Sequence, residues 1–71
     1  MERQNVNSSM IKSIGYDSDN QILEIEFVSD GSVWQYYDFP EYLWYEFESS
    51  GSKGKFFHRE VKGQYSESRV G

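Results

Sequence analysis

The segment Gly51-Ser52-Lys53-Gly54-Lys55 holds the residue types in this chain best suited to chemistry. It joins flexible backbone to two lysines just ahead of an apolar helical stretch. Free N–H groups at the start of a helix favour phosphate. The segment is not a P-loop: its spacing is short, Lys55 is followed by Phe56 rather than Ser or Thr, and a helix rather than a strand precedes it. His58, Arg59 and Lys62 follow, interleaved with Phe56 and Phe57. In such a cluster cations hold phosphates while an exposed ring stacks on a base. Lys53, Lys55, His58, Arg59 and Lys62 are therefore the candidate nucleic-acid contacts. The competing reading puts both phenylalanines in the core and the charges on the solvated side of a helix. Helical spacing keeps Lys55, Arg59 and Lys62 in one stripe under either reading.

The same turn has the form G-x-x-G between two helices, the arrangement by which KH domains clamp a nucleic-acid backbone. The order of elements here, strands first and none expected afterwards, departs from that fold. Other chemistry finds little material. There is no cysteine and only one histidine, so thiolate nucleophiles and cysteine-ligated zinc are excluded and a histidine triad has no evident partner. Glu24 and Glu26 alternate along a strand, and Glu41 and Glu48 fall on a helix surface, as solvated carboxylates do. The expectation is a protein that is not an enzyme and needs no cofactor or metal. Trp34-Gln35-Tyr36-Tyr37 invites comparison with aromatic sheet surfaces that bind RNA, but the hairpin pattern below turns Trp34 and Tyr36 towards the core.

The 71 residues leave room for one core. Two Trp, six Tyr and five Phe concentrate apolar area in a chain only 37% hydrophobic, and aromatics bury more area per residue than aliphatics. The net charge of −5 is uneven along the chain, −8 over residues 1–50 and +3 over residues 51–71. No stretch is apolar enough for a membrane span, and Met1-Glu2-Arg3-Gln4 lacks a signal-peptide pattern, so a cytoplasmic location with no membrane partner is expected.

Residues 1–9 read as a flexible lead-in, 10–65 as a single domain and 66–71 as a flexible tail. The pattern predicts an α+β fold: a three-stranded antiparallel β-meander followed by two short helices packed on one sheet face. A first strand covers Ile11 to Tyr16, though Ile11 and Ile14 cannot share one face of a regular strand. A second, Gln21 to Val28, alternates Leu23, Ile25 and Phe27 with Glu24 and Glu26. Asp30-Gly31 as a two-residue hairpin loop sets Phe27 opposite Trp34 and Ile25 opposite Tyr36. Asp38 is expected to cap the first helix, with Glu41 completing a capping box and Phe39, Leu43, Trp44 and Phe47 forming its apolar stripe. Ser52 is expected to cap the second, which Gly63 ends.

Several blocks, in order, resemble the KTSC domain family. They are Ser8-Ser9-Met10-Ile11, Ile14-Gly15-Tyr16-Asp17, Trp34-Gln35-Tyr36-Tyr37-Asp38-Phe39-Pro40, Ser52 to Arg59, and Gly63-Gln64-Tyr65. The family is named for a module at the C-terminus of some lysyl-tRNA synthetases and also occurs as small stand-alone bacterial proteins. The resemblance implies one compact domain without established catalysis, and its synthetase context suggests RNA (tRNA) as partner. The family's central Y-x-Y is Trp34-x-Tyr36 here, which keeps the bulk and loses one hydroxyl. A second class of function is an interaction module for a protein partner, using Tyr37, Tyr42 and Tyr45 or the acidic sheet face. The oligomeric state is left open.

Overall fold

The computed structural model describes all 71 residues. Five strands run in chain order across one antiparallel sheet: β1 (Gln4–Asn5), β2 (Ile11–Asp17), β3 (Ile22–Phe27), β4 (Val33–Tyr36) and β5 (Glu67–Arg69). Between β4 and β5 the chain forms α1 (Glu41–Ser49), α2 (Lys53–Phe56) and a π-helical turn over Phe57–Val61. The α+β class and the central meander stand as expected, but the sheet has five strands rather than three. Both additions come from segments read as flexible. β1 pairs with β2 through Gln4↔Ile14 and Asn5↔Ser13, and β5 pairs with β4 through Trp34↔Arg69, Gln35↔Ser68 and Tyr36↔Glu67. Both edges are short and exposed on every residue, so neither carries an apolar signal.

The hairpin register is Leu23↔Tyr36, Glu24↔Gln35, Ile25↔Trp34 and Glu26↔Val33, two residues away from the expected pairing. The loop is longer than Asp30-Gly31. The Phe27 N–H donates to Ser32 O at 2.9 Å, the Gly31 N–H donates to Phe27 O at 3.1 Å, and Gly31 takes a φ of 69°. A shift of two preserves which side chains share a face, so the hydrophobic pattern fits either register.

Ile11 and Ile14 are both fully buried because β2 is irregular. Ile11 faces Phe27 while Ser13 faces Glu26, so Lys12 is an extra residue in the ladder. A bulge of this kind turns the strand by one position and brings both isoleucines to the same side.

The expected capping box does not form. Pro40 is the N-cap of α1 with no side-chain bond, whereas Asp38 sits in the left-handed region at φ 58°. That turn lets the Phe39 N–H reach Gln21 O at 2.9 Å and sends the Phe39 ring into the core. The rest of the helical reading stands: Phe39, Leu43 and Phe47 are buried, and Trp44 packs against them. Ser52 caps α2, its hydroxyl accepting from the Lys55 N–H at 3.2 Å, and Gly63 follows at φ 75°. Phe47 stacks on Phe56 at 4.9 Å, while Phe57 meets Phe27 and Tyr36 edge-on at 5.4 and 5.8 Å. These contacts seal one face of the sheet under the helices, with Tyr36 buried and Trp34 half-buried against the core as expected.

Candidate functional site

The Gly51–Lys55 segment follows α1 through the Gly51-Ser52 link and forms the first turn of α2, and it lies against the loop that enters β2. Gly54 meets the Met10 side chain, with Sδ 3.7 Å from where a Cβ would sit. On the other side of this contact the Ser8 hydroxyl accepts from the N–H groups of Met10 and Ile11, both at 3.2 Å, and so shapes the loop. The two segments wall a groove of about 410 Å³ whose polar lining is Asn7, Ser8, Ser9, Ser52, Lys53, Lys55 and His58. No carboxylate lines it.

The five candidate contacts are not one cluster. Lys53, Lys55 and His58 line this groove. Lys53 is partly committed, its Nζ donating to Ser50 O at 2.7 Å near the end of α1. Lys55 also borders a second recess of about 420 Å³ with Arg59, and Glu46 stands in its wall. Arg59 pairs with Glu60 at 2.9 Å and lies over the Phe56 ring, 5.6 Å from its centroid. Lys62 follows the π-helical turn, its N–H bonded to Phe57 O at 2.8 Å, and borders neither recess. The wider turn replaces the α-helical repeat after Phe56, so spacing counted on 3.6 residues does not carry through to Lys62. Phe56 and Phe57 are buried and present no ring for stacking on a base.

Ser8 and Ser9 belong to the groove and were not among the candidates. Their signal lay in the Ser-Ser pair just before a strand, where hydroxyls commonly bond nearby backbone.

The tyrosines considered for a protein contact also divide. Tyr42 and Tyr45 stand out from α1, 65% and 58% exposed. The Tyr45 hydroxyl donates to Glu41 at 3.3 Å, and the negative charge of Glu41 raises its pKa. Tyr37 points elsewhere, donating to Gln35 Oε1 at 3.1 Å on the sheet face away from the helices. Glu24 and Glu26 on that face are not simply solvated: Glu24 is only 7% exposed, and Arg3 of the N-terminal segment binds it.

The fold and groove together define a small α+β domain, a meander sheet covered on one face by helices, with a cationic groove beside the entry to β2. Residues 7–65 match the KTSC domain family, and the chain belongs to it. Its backbone superimposes on the crystal structure of a KTSC domain protein from Yersinia pestis with a TM-score of 0.94, at 46% identity, over 99% of this chain and 97% of that one. A lysine–tRNA ligase of Trichormus variabilis is 40% identical over 57 residues, which are 80% of this chain and 10% of the ligase. An uncharacterised protein of Stutzerimonas stutzeri is 35% identical over 65 residues, 92% of this chain and 90% of that protein. The chain thus spans about a tenth of the ligases it matches and nearly the whole of the small relative.

Proposed function

We propose that this chain is a non-catalytic RNA-binding domain whose groove between the Ser8–Met10 loop and the Gly51–Lys55 turn holds a phosphate of the RNA backbone. The observation that carries this reading is the composition of the groove: Lys53, Lys55 and His58 stand with the serine hydroxyls, and no carboxylate lines the wall. In a chain of net charge −5, a groove walled by two lysines and no carboxylate offers a polyanion local attraction. Lysine–tRNA ligases, which by name act on tRNA, contain the related segment, and that supports tRNA as the class of RNA. Lys55 and His58 supply contacts; Lys53 does so by releasing Ser50 O. Arg59 and Lys62 add long-range attraction only.

With one phosphate held and the two lysines neutralising at most two, affinity for single-stranded segments falls with salt at a logarithmic slope of about −1. Fluorescence anisotropy with labelled tRNA at low and moderate salt tests this. Weak binding that falls with salt and with Lys53→Ala/Lys55→Ala is expected; no binding at low salt refutes the reading. The exposed Tyr42 and Tyr45 support a second reading, an interaction module for a protein partner, in which RNA leaves these rings and the groove untouched.

A further inference from the structure

The sheet face away from the helices carries a charged assembly that the groove does not use. Arg3 reaches across Gly15 of β2 to Glu24 of β3, forming an ion pair and hydrogen bond through Nη1 and Oε2. Its Nε donates to Ser13 Oγ at 2.9 Å, and Nη2 lies 3.9 Å from Glu26 Oε1. The receiving groups are themselves fixed. Ser13 Oγ donates to Glu26 Oε1 at 2.8 Å, and Gln35 Nε2 donates to Glu24 Oε1 at 2.8 Å, leaving Glu24 Oε2 for the arginine. Three guanidinium nitrogens therefore meet three differently placed oxygens. A single ammonium cannot reproduce that fork.

Gly15 makes the passage possible. A Cβ there would stand 2.5 Å from Glu2 O, 3.0 Å from Arg3 Cγ and 3.3 Å from Arg3 Cα. The strand that delivers the arginine is by contrast slight: β1 has two residues, both exposed, pairs with no strand but β2, and adds one exposed side-chain bond, from Gln4 Nε2 to Glu48 Oε2 of α1 at 3.2 Å. A recess of about 240 Å³ beside it, bordered by Gly15, Tyr16 and Trp44, is left unfilled.

We propose that this face is a recognition slot for the guanidinium of an extended peptide that adds as a strand along the edge of β2, and that β1 occupies the slot as an exchangeable ligand of the same chain. The anchor is specific, a 28% exposed arginine side chain held by a buried carboxylate, while the strand bearing it is short; strand-addition sites divide their work in this way, main-chain pairing giving affinity and one recognised side chain giving selectivity. Charge complementarity fixes the partner's chemistry. Glu24 and Glu26 together demand a cation, and the fork of donors they meet is that of arginine. The site is separate from the groove proposed for RNA, so neither proposal depends on the other.

The test uses the full chain carrying Arg3→Ala and a fluorescein-labelled peptide of residues 1–7, Met-Glu-Arg-Gln-Asn-Val-Asn. The variant binds this peptide at least about tenfold more tightly than the same peptide with lysine at its third position, because a charge-assisted hydrogen bond to a buried carboxylate is lost with the fork. Unsubstituted protein binds it at least about tenfold more weakly than the variant does, since its own β1 competes. Glu24→Gln in the Arg3→Ala chain abolishes the preference for arginine over lysine. Amide protection in β2–β4 checks the fold throughout. A folded Arg3→Ala chain that ignores the peptide, or takes both peptides equally, overturns the proposal. So does failure of Arg3→Ala to fold, because β1 would then be an integral strand rather than a replaceable one.

Discussion

Replacing Gly15 with alanine adds one methyl group where the N-terminal backbone crosses β2. The new Cβ would lie 2.5 Å from Glu2 O and 3.3 Å from Arg3 Cα, both backbone atoms that cannot rotate away. Relief requires β1 to lift, which breaks the Gln4↔Ile14 and Asn5↔Ser13 pairing and withdraws Arg3 from Ser13 and Glu24. Two opposing effects set the size of the change. Hydrogen bonds to charged groups contribute about 1.5–3 kcal/mol each where water is excluded. Water returning to Glu24 as β1 leaves recovers part of that, so the loss is about 2–3 kcal/mol in all. Against it, alanine costs about 0.5–1 kcal/mol less than glycine to order in a strand. The net expectation is a destabilisation of about 1–2 kcal/mol, or a fall in Tm of roughly 5–15 °C for a domain of this size.

Urea denaturation of four proteins, the parent chain, Gly15→Ala, Arg3→Ala and the double variant, measures this. Arg3→Ala should cost about 1–2 kcal/mol in the parent and close to nothing in the Gly15→Ala background, because the arginine has already left its partners there. A Gly15→Ala chain as stable as the parent would refute the reasoning, as would an Arg3→Ala cost that is equal in both backgrounds.

Tyr16→Phe removes the hydroxyl that donates to Phe39 O while keeping the ring stacked on Trp44 at 5.5 Å, so a loss of about 1 kcal/mol in a thermal melt is expected. At the β2–β3 turn, Asn20 donates through its side chain and backbone to Asp17, at 2.9 and 3.3 Å, and holds the Asp17 pKa below the ordinary carboxylate value. A folded pKa below the unfolded one means stability present above the ordinary carboxylate range and lost as pH falls through the folded pKa. Asn20→Ala should raise the Asp17 pKa in an NMR titration and leave a smaller loss of stability on acidification.

Strand β3, the faces of the central hairpin and the stripe of α1 were legible because each repeats its pattern over several residues, as Leu23-Glu24-Ile25-Glu26-Phe27 does. The hairpin register was not, since moving the pairing by two residues keeps Trp34 and Tyr36 on the face of Leu23 and Ile25. The edges were hidden for a different reason. β1 and β5 bury nothing and are held by backbone pairing, with the charge of Arg3 and the Gln4–Glu48 side-chain bond helping β1, so composition marks them as polar ends. One clue was present: a lone glycine inside a strand, here Gly15, signals a close backbone approach. Ile11 and Ile14 likewise announced an irregular strand, but only the pairing shows that Lys12 is the inserted residue. Among the basic residues, spacing grouped Lys55 with Arg59 and Lys62; the π-helical turn and the Arg59–Glu60 pair instead leave Lys53, Lys55 and His58 as those sharing a groove free of carboxylates.

The most direct test of the proposed function is an NMR titration of the isotope-labelled chain with tRNA at low salt, read residue by residue. Shifts concentrated at Ser8, Ser9, Lys53, Gly54, Lys55 and His58, and lost as salt rises, are the predicted result. Unperturbed groove amides, or shifts centred on Tyr42 and Tyr45 of α1, would contradict the account.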